Sequence, residues 1–535
     1  VSTIHVPVRF AGFGICIVGL LASILCLPMS LWWGWPAAIF GALTALGIYD
    51  LLQTRRAVSR NYPVLAHLRY FLESIGPEIR QYFIEADTDE RPFSREQRSV
   101  VYQRAKNVLD KRPFGTLQNV YAEGYEWINH SVAPTEPDPK TFRVTIGRDC
   151  PLPYRASVFN ISAMSFGSLS ANAILALNKG AAMGGFYHDT GEGSISRYHT
   201  RHGGDLMWEI GSGYFGCRDD HGRFDEALFR DNAAREQVRL IEIKLSQGAK
   251  PGHGGILPAA KVTPEIAEAR HVPMGEDVVS PPAHSAFHTP IELMHFITRL
   301  REASGGKPVG FKLAVGHPWE WFAIVKAMLE TEELPDFIVV DGGEGGTGAA
   351  PLEFINRLGM PLDDALLLVH NTLVGAGLRD RLHIGAAGKV TSSFKIARTM
   401  ALGADWCNAA RGFMFALGCI QSLSCHTDHC PTGVATQDPY RAGALDVKDK
   451  SVRVANFHAN TLKALAGLLS AAGLEQPWQI RPSHLLRRTA DGEVRSFDEL
   501  YPFLEAGELL RRTPGHGVYQ RYWPRASGRR FAPAA

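Results

Sequence analysis

The sequence predicts an α/β protein: a (β/α)8 TIM barrel preceded by a two-helix transmembrane hairpin. Three features predict it. Two long, almost uncharged apolar stretches open the chain. From about residue 141 onward, short apolar runs alternate with helix-length segments, and most of those runs end in glycine or polar residues. The organisation that follows is a hairpin over 1–60, a helical connector over 61–140, a barrel with a cysteine-bearing loop over 141–475, and a tail packed on the barrel over 476–535.

The hairpin is read from hydropathy and charge. Residues 10–28 and 31–52 are apolar apart from Asp50 near the second end, and each is long enough to cross about 30 Å of hydrocarbon as a helix. Trp32, Trp33 and Trp35 lie between them, where an interfacial aromatic belt would sit. Arg9 precedes the first stretch and Arg55, Arg56 and Arg60 follow the second, whereas the tip carries no charge. The positive-inside rule then places both ends and the rest of the chain in the cytoplasm, as a multi-pass protein of the inner (plasma) membrane. The competing reading is a cleaved signal peptide, but no small-residue cleavage site precedes the second stretch.

The connector is polar and Arg-rich, with helices expected around Val64–Ile84 and Arg95–Asp110, a turn region at Pro134, Pro137 and Pro139, and no chemistry of its own. With 56 Lys plus Arg against 54 Asp plus Glu, the chain has no broad basic field, which excludes nucleic acid as a partner. Three of the eight cysteines crowd together and the others are scattered. That is not a disulfide framework, and it suits a reducing compartment with one thiolate site.

The barrel strands are expected at Ser157–Met164, Gly185–His188, Leu240–Lys244, Val278–Ser280, Val309–Val315, Phe337–Asp341, Leu382–Gly385 and Trp406–Ala409. A doubly wound open sheet competes, but polar or Gly-rich loops follow many of these strands, as barrel sites require. The first strand exits into Ser162, Ala163, Met164 and Ser165, small enough for a flat ring to lie on the backbone. The fifth carries Lys312, a cation suited to the N1–C2=O edge of a flavin. The sixth runs into Gly342, Gly345, Gly346 and Thr347, the seventh into Gly388 and Lys389, and the eighth into Ala410, Arg411 and Gly412. Loops after the last two strands are common phosphate sites in such barrels. Each cluster alone is a weak sign; four together favour a phosphorylated cofactor. No G-x-G-x-x-G opens a helix directly after a strand, so a Rossmann site is not supported.

Cys419, Cys425 and Cys430 read C-x5-C-x4-C with a proline after the last. Three thiolates suit an iron–sulfur cluster with one open corner. Zinc completed by His426 or His429 fits the spacing equally well.

Taken in order, Ser162–Ser168, Thr190-Gly191-Glu192-Gly193, Gln247-Gly248-Ala249-Lys250-Pro251-Gly252, Ser280-Pro281-Pro282, Gly345–Ala349 and Ala416–Gln437 resemble the FMN-binding synthase domain of bacterial and plastid glutamate synthases. The resemblance implies FMN in the barrel and a 3Fe–4S cluster on Cys419, Cys425 and Cys430. It further implies hydride transfer between FMN and a 2-imino/2-amino acid, as in making glutamate from 2-oxoglutarate and ammonia. It carries Glu192, Gln247, Lys250 and Arg270 over as holding the oxo acid, Glu192 and Lys250 as catalytic, and Gln247 as also reaching the cofactor. Chemically the set is coherent, since Arg and Lys pair with carboxylates and Glu exchanges protons at an imine nitrogen.

Three departures stand out. His253 replaces a Glu of the family motif, Ile256 replaces a Gln that helps bind the oxo acid, and Gly343-Glu344 replaces a His-Asp pair. Losing one polar group at a polar substrate changes recognition strongly, so the substrate is open. The glutaminase, β-helix and NADPH-binding parts of full glutamate synthases are not expected here, which leaves the electron donor or acceptor to an unidentified protein. Direction, nitrogen source and homo-oligomer formation are also open. The rival reading is a non-catalytic electron-transfer or scaffold subunit, supported by His253 and Ile256 and opposed by Glu192, Lys250 and Arg270.

Overall fold

The computed structural model describes residues 8–74, 92–108, 111–511 and 515–534. Eight parallel strands close into a barrel: β1 (Phe159–Ile161), β2 (His188–Asp189), β3 (Leu206–Ile210), β4 (Val238–Lys244), β5 (Val309–Leu313), β6 (Phe337–Asp341), β7 (His383–Ala387) and β8 (Trp406–Ala409). They pair in sequence order, and β8 closes on β1 with Cys407 opposite Phe159. In the β5–β6–β7 ladder, Lys312 lies opposite Val339, and Val339 opposite Gly385. Apolar residues such as Ile241, Phe311, Ile338 and Trp406 are fully buried, as strands covered by helices require.

Two strand expectations are corrected. Val278–Val279 is not in the barrel; it pairs antiparallel with Ile256–Leu257. The Ser280-Pro281-Pro282 that follows cannot continue a ladder, because proline lacks the N–H. The missing third strand is β3, whose apolar run is interrupted by Glu209, a residue that nevertheless points to a buried site. The first expected strand is also divided. Tyr154–Ser157 forms an antiparallel ribbon with Arg143–Ile146, and β1 begins only at Phe159.

Around the barrel, the helix Ala171–Gly184 starts at the Ser170 cap and ends at Gly185 in the left-handed region. It packs on the 25-residue helix Val447–Ala471, which buries Val454, Phe457, His458, Thr461, Leu465 and Leu469, a helical stripe facing the barrel. The connector contributes Leu65–Ser74 and Arg95–Lys106. The remainder of the helices expected there, at 75–84 and 109–110, lies outside the described residues.

The N-terminal hairpin consists of α1 (Ala11–Cys26) and α2 (Gly34–Leu52). The two approach closely because small residues face large ones. A Cβ on Gly19 would meet the Phe40 ring at 2.8 Å, and one on Gly47 would meet Phe13 at 2.2 Å. By length and composition both are able to cross a membrane. Ile15, Val18, Leu25, Ile39 and Leu52 are exposed, and Trp32 and Trp35 are exposed at the tip. At the opposite end Asp50 is buried, accepting from Val64 N–H at 2.9 Å and meeting His67 Nε2 at 2.8 Å. The hairpin base rests on the loop after the cysteines: Arg441 donates to Tyr62 Oη at 2.9 Å, and Asn61 to the Pro431 carbonyl at 3.4 Å.

Candidate functional site

The C-terminal ends of the barrel strands open into two adjoining cavities. The inner one is lined by Ser162, Ala163, Gln247, Lys312, Gly345, Gly346, Gly388, Lys389, Ala410, Arg411 and Gly412, together with Phe93 and Asn408. The outer one, about 650 Å³, is lined by Met164, Ser165, Glu192, Lys250, Arg270, Thr347, Cys419 and Cys425, and shares Ala163, Gln247 and Arg411 with the inner. Two expected residues line neither. Gly342 lies beneath Gly248, where a Cβ would meet the Gly342 carbonyl oxygen at 1.8 Å, and Cys430 is buried with its sulfur 3.4 Å from Thr432 Oγ1. Gly342 therefore shapes the loop from behind.

Beneath the inner cavity lies a buried charge cluster. Lys312 Nζ bonds the Glu209 carboxylate and lies 3.3 Å from Glu242 Oε2. Burial opposes the lysine's charge, but Glu209, Glu242, Asp189 and Asp341 outweigh it and keep it protonated. Burial, then the neighbouring Glu209, pushes the Asp189 carboxyl up to about 7. Burial holds Glu242 well above the ordinary range. The carboxylates of Asp189, Glu209 and Glu242 stand close enough to hold a metal ion, and the Lys312 ammonium already answers Glu209 and Glu242.

At the rim, Arg411 donates to the Glu344 carbonyl at 2.6 Å and stacks over Phe93 at 4.7 Å. Burial lowers Arg411 to about 10. Glu344 itself accepts from Leu362 N–H at 2.9 Å, so the departure at Gly343-Glu344 holds the β6 loop.

The outer cavity concentrates positive charge around one carboxylate. Glu192 pairs with Lys244, the last residue of β4, at 3.0 Å. Burial tends to raise the Glu192 carboxyl, but Lys244, Arg270 and Lys250 outweigh it and hold it below the ordinary range. Arg270 is buried, donates to the Phe166 carbonyl at 2.9 Å, and leaves its Nε without a hydrogen-bond partner among the described residues. Lys250 is buried too, its Nζ 3.5 Å from the Ala349 carbonyl. Three cations against one carboxylate leave an excess suited to an acid ligand. Ile256 is 42% exposed and lines this cavity, whereas the His253 ring packs edge-on against Phe354 at 5.4 Å.

The cysteine loop forms part of the same wall. Tyr102 Oη donates to the Cys419 carbonyl at 2.6 Å, and Lys261 Nζ to the Cys425 carbonyl at 2.8 Å. Burial, with Cys430 and Cys425 adding to it, pushes the Cys419 thiol up to about 12. Among the described residues, the three cysteine sulfurs do not all lie within 4.8 Å of one another. His426 and His429 are exposed.

Sequence reasoning missed Lys244, Asn408 and Phe93. Asn408 accepts from Tyr187 Oη at 2.6 Å. Phe93 corrects the expectation of a connector without a part in the site: it exchanges hydrogen bonds with Gln421, both at 3.2 Å, and lines both cavities. The only sign of it in the sequence was its place just before the Ser94/Gln97 capping box.

Residues 144–475 match the model of the conserved region in glutamate synthase. The chain belongs to the glutamate synthase family. The glutamate synthase large subunit-like protein YerD of Bacillus subtilis is 37% identical over 495 residues, covering 85% of this chain and 94% of that protein. The archaeal NADPH glutamate synthase of Methanocaldococcus jannaschii is 35% identical over 322 residues, covering 60% of each. The chain therefore spans nearly all of the first relative and less than two thirds of the second. A solved mandelate oxidase structure aligns over 75% of this chain and 96% of its own at 15% identity and a TM-score of 0.42, too loose a fit to bear on the site.

Proposed function

We propose that this member of the glutamate synthase family is a membrane-anchored flavin oxidoreductase. FMN occupies the inner cavity, a 3Fe–4S cluster sits on Cys419, Cys425 and Cys430, and hydride passes between FMN and a 2-imino/2-amino acid. One observation carries the reading: Glu192, Lys250 and Arg270 line the same cavity as the loop ends of β1, β6, β7 and β8 and as Cys419 and Cys425. A substrate, a ring cofactor and a thiolate site that share one cavity can exchange electrons.

The residues fit FMN. Ser162, Ala163, Met164, Ser165, Gln247, Gly345, Gly346 and Thr347 would hold its ring, with Lys312 as a cation kept charged by its carboxylates. Gly388, Lys389, Ala410, Arg411 and Gly412 would hold its phosphate. FMN, when bound, supplies or accepts the hydride and also exchanges single electrons with a cluster. Arg270 and Lys250 hold the acid's carboxylate groups. Glu192, kept ionised by Lys244, stabilises the positive charge of an iminium nitrogen in one direction and takes a proton from an ammonium in the other. Ile256 places hydrocarbon against the bound acid, which favours a substrate other than 2-oxoglutarate. The hairpin α1–α2 anchors the enzyme with the barrel on the cytoplasmic face, where an unidentified protein donates or accepts electrons.

The test is reoxidation of the reduced protein. Ammonium is added with each of a panel of 2-oxo acids, and the flavin absorbance is followed. Return of the oxidised spectrum with one acid plus ammonium, and with neither alone, is expected. No response to any oxo acid, together with no bleaching by any amino acid, would favour the scaffold reading instead.

A further inference from the structure

A surface helix of a globular protein turns its apolar stripe towards the core. The helix Leu65–Ser74 does the reverse. Leu65, Leu68, Phe71 and Leu72 are between 49% and 61% exposed. At 3.6 residues per turn these four fall within an arc of about 120°, a single continuous face. Ala66, on the opposite side, is buried. Polar groups flank the stripe: Arg69 pairs with Glu73 at 2.7 Å, and Arg56 stacks over Tyr70 at 4.6 Å. Four large apolar side chains presented together on a surface mark an interaction site.

Position identifies the partner. The stripe begins on the hairpin itself: a Cβ on Gly12, the second residue of α1, would meet Leu65 Cγ at 2.6 Å. Asp50, near the end of α2, holds the Val64 N–H and His67 from the other side. The helix is thereby fixed where two apolar helices long enough to cross a bilayer begin and end, beside the exposed Leu52. Arg55, Arg56 and Arg60 stand at the same end in the sequence. An apolar face with basic neighbours at that level matches the boundary between lipid headgroups and acyl chains. We propose that the helix Leu65–Ser74 lies in the bilayer surface, with Leu65, Leu68, Phe71 and Leu72 sunk among the lipids. A hairpin alone tethers the barrel, whereas a helix in the membrane plane beside it sets which side of the barrel faces the bilayer. The proposal rests on the hairpin being membrane-inserted, and the experiment reports the two separately.

The full-length protein is placed in nanodiscs of phosphatidylcholine and phosphatidylglycerol. The photoreactive amino acid benzoylphenylalanine stands, one position at a time, in place of Leu68 and Phe71 on the stripe. Val18 in the hairpin and Leu510 in the C-terminal tail, both exposed, are replaced in the same way as references. After irradiation the protein is weighed by mass spectrometry. A gain of one lipid mass is expected at positions 18, 68 and 71 and none at 510. Lipid adducts at 18 without any at 68 or 71 overturn the proposal and leave the hairpin in the membrane. Crosslinks between two chains at 68 and 71 in place of lipid adducts also overturn it, and make the stripe an interface between copies. No lipid adduct at 18, 68 or 71 overturns the anchored reading and the proposal together.

Discussion

Glu192 reaches the centre of the outer cavity because its neighbours are glycines. Gly191 adopts a φ of +66°, and a Cβ there would stand 2.6 Å from the Ser165 nitrogen. The Thr-Gly-Glu-Gly motif pointed to this residue, but not to Lys244, which ends a strand and reads as a solvated lysine until the barrel closes it onto Glu192. Arg270, which by itself looks like a helix-surface residue, is buried by the same closure. Replacing Glu192 with Gln keeps the shape and removes the charge. Turnover should fall by roughly 10²–10⁴-fold while flavin content stays the same, as activity and bound-flavin assays on the purified variant would report. Unchanged turnover would remove Glu192 from the chemistry.

Among the strands, hydrophobic runs located seven of the eight. The eighth, β3, went unassigned, although its run Leu206–Ile210 carries one acid, Glu209, just as β4 carries Glu242. In the barrel Glu209 is the partner of Lys312 beneath the inner cavity, a pairing between strands that no local pattern encodes. Lys312→Met should destabilise the fold by about 3–5 kcal/mol in chemical denaturation, since it leaves buried carboxylates without their cation. Adding Glu209→Gln should recover part of that loss. A neutral effect of the single change would mean the carboxylates are protonated without the lysine. The hairpin was plain from composition, whereas its seat on the cysteine loop was not. Asn61 and Pro431 lie 370 positions apart, and no local pattern encodes such a contact.

Burial holds several histidines neutral, His188 among them. Burial pulls His199 and His458 down to about 3, and His284 and His370 to about 4. His458 is stacked on Phe186 at 3.9 Å and bonded to Ser157 at 2.9 Å, with no room for a counter-charge. Their folded pKa values lie below the ordinary 6.5, so this stability is fully present above pH 6.5 and is lost as pH falls towards 4. Thermal melts should show an unfolding temperature that declines over that window; a flat profile would contradict the burial of these rings. The family, the barrel and most of the cavity-lining residues followed from ordered motifs, because each motif is a strand end and strand ends meet at one rim. What joins the rim to the connector and the hairpin emerges only from tertiary packing. The decisive measurement is the absorption spectrum and cofactor analysis of full-length protein purified without oxygen. The account predicts a flavin spectrum with FMN released on denaturation, superimposed on the broad visible absorption of a three-iron cluster. Colourless protein without flavin or iron would contradict it.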